Sequence, residues 1–133
     1  ISKVSKNLKL SKIENIKIKK IIQLHKKFNL KDFEKNKIKY LFYYGHEICG
    51  GLLIYNFAKL SINSQVKTYL RIISSIKGLK VPKLPIFGKD IIKLGIKPGP
   101  NVGKILKLIE NWWIANNFNP SRKECLEKLK KFN

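Results

Sequence analysis

The chain has 133 residues, 44% of them hydrophobic, which suffices for one modest core and a single domain. Its 29 basic residues against 8 acidic residues give a net charge of +21, and this predicts an anionic partner, either nucleic acid or an acidic membrane surface. No apolar run approaches the roughly 20 residues of a membrane-spanning helix. Cys49 and Cys125 lack paired spacing, so a disulfide framework is disfavoured and a location in the reducing cytoplasm is expected.

The first 45 residues predict a tail followed by two helices. Residues 1–10 have little to fix them and suit a flexible tail or a severed linker, and a start at Ile1 without any methionine predicts a fragment of a longer protein. Ser11 and Glu14 form a capping box, which opens a helix that ends near Asn29. This helix carries Ile13, Ile16, Ile21, Leu24 and Phe28, with lysines around them. A second helix is predicted over residues 31–44, with Gly45 ending it and with the inward residues Phe33, Ile38, Leu41 and Phe42.

The middle of the chain leaves one alternative open. Residues 46–59 predict a further helix, but Gly50 and Gly51 disfavour it and the apolar run at residues 52–55 is also typical of a buried strand. Asn63 or Ser64 is then expected to cap a helix that reaches Lys77, with Leu70 among its inward residues.

The C-terminal part predicts two helices joined by a tight turn, and then a last helix. Asp90 lies in the first turn of a short helix that ends near Leu94, and Gly95 suits the left-handed residue beyond it. Pro100 suits the first position of a long helix that carries the adjacent residues Trp112 and Trp113. Ser121 and Glu124 cap the final helix. The predicted fold is therefore all-α, a single compact bundle of about seven helices over residues 11–133.

The turn at residues 95–103 resembles a helix-hairpin-helix and predicts a phosphate contact. Its glycines lack bulky side chains, so a sugar-phosphate backbone could approach the amides at the start of the next helix. Four lysines add positive charge. The predicted RNA-binding residues are Lys89, Lys93, Gly95, Lys97, Gly99, Gly103 and Lys104. The alternative is that the glycines and prolines only make a tight connection between two helices.

The kind of basic residue favours attraction to the backbone over base recognition. Only Arg71 and Arg122 are arginines, and lysine lacks the planar fork that reads a base edge. A genome-wide codon bias also produces many lysines, isoleucines and asparagines. Part of the positive charge can therefore be solvated surface without a binding function.

The sequence of residues 85–106 resembles the C-terminal body and tail of bacterial CCA-adding tRNA nucleotidyltransferases and the related poly(A) polymerases. The resemblance continues in two later motifs, Glu110-x-Trp-Trp-Ile and Pro120-x-Arg-x-x-Cys-Leu. The likeness is greatest to the short-tailed, class II enzymes of alphaproteobacteria. It is strong over residues 84–129 and looser from residue 8 to Gly45. This resemblance implies a helical region that holds the acceptor arm of tRNA while an N-terminal catalytic head adds nucleotides to the 3′ end.

The sequence offers no catalytic or metal site of its own. Two-metal nucleotidyl transfer needs closely spaced carboxylates, but the only aspartates are Asp32 and Asp90, in different predicted helices. We therefore expect the fragment to be inactive, with no cofactor; Mg²⁺ and CTP or ATP are implied for the parent enzyme by the resemblance. His46 and Cys49 lie three apart, but no second pair is near them in the sequence, so zinc binding is disfavoured.

Two alternatives from other classes stay open. One is a helix-hairpin-helix module that binds duplex DNA through the same glycine turn. The other is a cationic protein of membrane surfaces or a scaffold, although the apolar faces are better suited to internal packing. Whether the parent adds CCA, adds only A or makes poly(A), and which oligomeric state it has, depends on residues outside this sequence.

Overall fold

The fold is given by a computed structural model that describes residues 7–59 and 66–131. Throughout these two ranges every regular element is a helix, as the sequence predicts. The contacts of the backbone divide the chain into two compact units, residues 1–81 and 82–133. This division does not test whether residues 11–133 form one domain, so that statement stays a prediction.

Of the helices bounded within residues 7–59 and 66–131, three belong to the first unit and three to the second. The first unit contains α1 (Lys12–His25), α2 (Leu30–Ala58) and α3 (Val66–Lys77). The second unit contains α4 (Gly88–Ile92), α5 (Pro100–Ala115) and α6 (Arg122–Lys130). The caps predicted at Asn63 or Ser64 lie outside the described residues.

Helix α2 is two helices joined at a break. Gly45 has φ +74° and ψ 168°, a conformation that interrupts the helix and that glycine adopts without steric cost. The prediction that Gly45 ends a helix is therefore confirmed, and the six helices with bounds in the described residues are close to the seven expected. The segment from His46 to Ala58 is helical, so the alternative of a buried strand is wrong.

The core of the first unit lies between α2 and α3. Its fully or almost fully buried side chains are Phe33, Leu41, Cys49, Leu53, Tyr69, Ile72 and Ile76. Ile38 is 37% exposed and Leu70 is 55% exposed, so the expectation that these two side chains point inward was wrong. Of the apolar residues that the first predicted helix carries, Ile13 and Ile16 are 65% and 67% exposed. Leu70 follows Tyr69 by one position, a turn of about 100°, which takes it off the face defined by Tyr69, Ile72 and Ile76.

The second unit buries the apolar faces of its helices around α5. Its buried hydrophobic side chains are Ile86, Ile91, Ile109, Trp113, Ile114, Cys125 and Leu129. The Trp113 ring packs edge-on against Phe118, and its indole N–H donates to the carbonyl of Pro120 at 3.0 Å. This anchor fixes the corner between α5 and α6.

Candidate nucleic-acid interface

The turn between α4 and α5 has the backbone geometry that the sequence predicts. After α4 ends, the amides of Leu94 and Gly95 donate to carbonyls in the preceding turn at 3.1 and 3.0 Å. Gly95 has φ +90°, which confirms it as the left-handed residue that closes the helix. Gly99 has φ +148°, a region that side-chain-bearing residues rarely adopt, and Pro100 then begins α5 at its first position.

The N-terminus of α5 is not closed by a side chain. At α1 and α6 a serine and a glutamate form capping boxes, as predicted, and accept hydrogen bonds from the free amides. At α5 the N-cap residue is Gly99, which has no side chain to offer, and Pro100 contributes no N–H group. The Val102 amide donates to the Gly99 carbonyl at 3.1 Å. The positive end of this helix dipole is therefore left to solvent or to an external anion.

The turn is open at the positions where the sequence lacks side chains. A Cβ atom added to Gly95, Gly99 or Gly103 would meet no atom within 4 Å. All three residues are exposed, so the backbone can be approached from outside. Gly88 differs, because a Cβ there would lie 3.2 Å from Cγ1 of Val102, where α4 and α5 pack together.

The surroundings of the turn are positively charged. Four exposed lysines flank it, namely Lys89, Lys93, Lys97 and Lys104. The one acidic residue between positions 89 and 104 is Asp90, which is 5% exposed and bound to Arg122. Lysines also occur throughout the first unit, so charge by itself does not single out the turn. The open glycine backbone is what distinguishes it.

The Asp90–Arg122 pair is the feature of this region that the sequence did not reveal. The Arg122 guanidinium donates to both carboxylate oxygens of Asp90, at 3.0 and 2.7 Å, and to the Pro85 carbonyl at 2.6 Å. The Asp90 carboxylate also accepts from the Phe87 amide at 2.8 Å. The hydrogen bonds from Arg122, and to a smaller extent the one from the Phe87 amide, lower the pKa of Asp90. The pair ties the start of α4 to the start of α6.

The two tryptophans have different environments, as their adjacency on a helix predicts. Trp113 is 2% exposed and belongs to the core. Trp112 is half-buried, and the Lys128 ammonium lies 5.6 Å from its ring centroid. Glu124 and Glu127 share the shallow depression that Trp112 lines. Lys128 and Lys131 line it too, so the charges of the depression balance, and it lacks the net positive charge of the glycine turn.

Within residues 7–59 and 66–131, no group of three or more His, Cys, Asp or Glu residues is placed so that it could hold a metal ion. The ring of His46 hydrogen-bonds the Leu79 carbonyl at 3.0 Å through Nε2. Cys49 is fully buried, and burial raises the pKa of its thiol to about 11. A buried, protonated thiol is a poor zinc ligand.

The described chain thus combines helices, exposed lysines and an open glycine turn. One known protein is similar to part of it. Over 59 residues, 44% of this chain, the sequence is 27% identical to CCA tRNA nucleotidyltransferase 1, mitochondrial, from Danio rerio. The match spans 14% of that protein. No protein-family model and no solved structure matches the chain. The similarity supports a distant relationship to the CCA tRNA nucleotidyltransferases.

None of the described helices combines the length and the apolarity needed to cross a membrane.

Proposed function

We propose that this chain is the RNA-binding C-terminal region of a CCA-adding tRNA nucleotidyltransferase or a related poly(A) polymerase, of the bacterial class II type. It would hold the acceptor arm of tRNA while an N-terminal catalytic head, with Mg²⁺ and CTP or ATP, adds nucleotides to the 3′ end. The observation that carries this proposal is the open glycine turn at the uncapped start of α5. The similarity to a CCA tRNA nucleotidyltransferase supports the choice of RNA as the partner.

In this proposal the turn binds phosphate groups of the RNA backbone. Gly99 and Gly103 let a phosphate reach the amides of the first turn of α5, where the helix dipole favours negative charge. Lys97 and Lys104 add attraction from either side. The RNA is then recognised by its shape and backbone, and not by the identity of its bases.

The positions of the two arginines support this mode of binding. Arg122 is bound to Asp90, and Arg71 forms a 2.6 Å ion pair with Glu34. Both guanidinium groups therefore have carboxylate partners inside their own unit. The charges left for an anionic partner are lysines, which act as point charges on phosphate and do not form the bidentate contacts that read a base.

Charge reversal at the turn tests the proposal. The Lys97→Glu/Lys104→Glu variant should bind tRNA about tenfold or more weakly, and its log-log salt slope should fall by roughly 2. The matched control is Lys67→Glu/Lys77→Glu, which changes the net charge equally at two exposed lysines of α3. Equal losses of affinity in both variants would remove the turn from the site, and an affinity that does not change with salt would contradict phosphate binding.

Catalysis is tested separately. Because the proposal assigns nucleotide addition to the head domain, this chain incubated with tRNA, CTP, ATP and Mg²⁺ should give no elongated product. Elongation above that of a no-protein control would show that the chain carries chemistry of its own.

A second candidate is a helix-hairpin-helix module for duplex DNA. It is favoured by the same observation, since a glycine turn with an uncapped helix start can bind DNA phosphates as well. Competition between tRNA and a B-form duplex of equal charge separates the two candidates. The tRNA proposal requires a clear preference for tRNA, whereas equal competition or a preference for the duplex favours the DNA module.

A further inference from the structure

We propose that the first unit contains a second binding site, a tyrosine cleft that takes one unpaired nucleotide. The cleft has a volume of about 410 Å³, and the residues that give it its chemistry are Lys27, Asp32, Lys39, Tyr40, Tyr43 and Tyr44. A volume of this size is within the range of small-ligand sites. The cleft belongs to residues 24–44 and does not involve the glycine turn, so the inference stands or falls independently of the phosphate contact proposed there.

The walls of the cleft are aromatic and accessible. Tyr43 is 51% exposed, and its ring centroid lies 6.2 Å from that of Tyr44, which in turn lies 6.1 Å from Tyr40. The Tyr40 ring in turn packs against the core residue Phe33, with 4.9 Å between the two ring centroids. The inner rings are thus held from behind, while about half of Tyr43 is open to solvent. A flat aromatic base can stack on an exposed tyrosine ring, and this contact is tolerant of base identity.

One end of the cleft carries a fixed hydrogen-bond acceptor. The Asp32 carboxylate accepts from the Tyr40 hydroxyl and from the Asn36 side-chain amide, both at 2.8 Å. Burial and the bond to Asp32 raise the pKa of Tyr40 to about 12, so the hydroxyl remains a donor at neutral pH. A carboxylate has about four acceptor positions, which leaves capacity for the amino group of adenine, cytosine or guanine.

The cleft also carries the charge needed for the phosphate. Lys27 and Lys39 line it, and the Lys20 ammonium lies 5.4 Å from the centroid of the Tyr44 ring. These three cations outnumber the single carboxylate of Asp32, so a nucleotide monoanion or dianion gains net attraction. An aromatic face, an acceptor for an amino group and nearby lysines together match the three parts of a nucleotide. The source is either a free mononucleotide or an unpaired nucleotide of an RNA strand.

Fluorescence of 2-aminopurine tests the cleft, because stacking on an aromatic ring quenches this base analogue and it carries an amino group. The full chain is titrated into 2-aminopurine riboside monophosphate and, separately, into an adenine hexanucleotide with one 2-aminopurine. We expect quenching that saturates. The Tyr43→Ala variant should weaken the affinity, read from the midpoint of the quenching curve, roughly five- to 150-fold, which is the range expected for the loss of one stacked base. Tyr43→Phe should retain it.

The control is Ile54→Ala, a truncation in the same helix at a side chain that is 57% exposed and outside the cleft. It should leave the quenching unchanged. Quenching of the monophosphate identifies a free nucleotide as the source, and quenching of the hexanucleotide alone identifies a strand; either result supports the site. Absence of saturable quenching with both probes, or equal quenching in Tyr43→Ala and the original protein, would overturn it.

Discussion

The Arg122 guanidinium binds both carboxylate oxygens of Asp90, across 32 positions of sequence, and it leaves that nearly buried acid fully paired. The same guanidinium bonds the Pro85 carbonyl. Three segments of the second unit are therefore joined at one side chain: the loop before α4, α4 itself and the start of α6. These segments frame the helices that carry the glycine turn.

Removal of Arg122 should destabilise the second unit. The Arg122→Ala variant leaves the Asp90 carboxylate without its two charged donors, so we expect a clear loss in the free energy of unfolding. Lys107→Ala is the matched control, since it removes one positive charge from an exposed ion pair with Glu110 and should cost less. Both tryptophans lie in α5, so urea unfolding followed by their fluorescence reports on this unit. Equal effects would show that the Asp90–Arg122 pair adds no more stability than an exposed ion pair.

Acid should reduce the difference in stability between Arg122→Ala and the original protein. The folded state lowers the pKa of Asp90 from 3.8, so the pair stabilises the fold above about pH 3.8 and loses this effect as pH falls through the lowered value. The difference in unfolding free energy should be constant from pH 7 to about pH 4 and then shrink. Asp90→Asn, which cannot ionise, should flatten the acid limb. A difference that stays constant below pH 3 would contradict this assignment.

Alanine at Gly103 should raise stability and lower RNA affinity together. Gly103 lies inside α5 in open space, so Gly103→Ala should gain about 0.5–1 kcal/mol in helix propensity. The added methyl group obstructs the approach of a phosphate, so tRNA binding should weaken. Gly95→Ala is the comparison: with φ +90° it should lose about 1–2 kcal/mol. Unchanged tRNA affinity in Gly103→Ala would count against backbone contact at this turn.

The neighbouring glycines of α2 should respond differently to alanine. At Gly50 a Cβ atom meets nothing within 4 Å, so Gly50→Ala should stabilise the first unit by about 1 kcal/mol. At Gly51 it would lie 2.5 Å from Cδ1 of Ile21 on α1, and this crowding should cancel the gain. Adding Ile21→Val removes that methyl group and should restore it. Thermal unfolding followed by circular dichroism measures all three, and equal stability of the two single variants would refute the crowding.

The sequence predicted the glycine turn well because each of its features is local. The left-handed residue at Gly95, the helix start at Pro100 and the break at Gly45 depend on backbone sterics that one residue type sets. The two capping boxes, Ser11 with Glu14 and Ser121 with Glu124, likewise join residues three apart. Side-chain orientation was predicted less well: Ile38 and Leu70 were expected inward and are exposed, because apolar spacing alone does not say which side of a helix meets another helix.

The sequence by itself therefore determined an all-helical chain, its breaks and caps, its excess of lysine and an open turn with free helix amides, since these follow from propensity, sterics and composition. Tertiary structure alone decided the pairing of Arg122 with Asp90 and the placement of Leu24, Lys27 and Phe28 beside the tyrosines of α2, which closes the cleft. The first joins residues 32 positions apart, and the second depends on which faces of α1 and α2 meet. Such contacts arise from packing between helices, which local sequence rules do not encode.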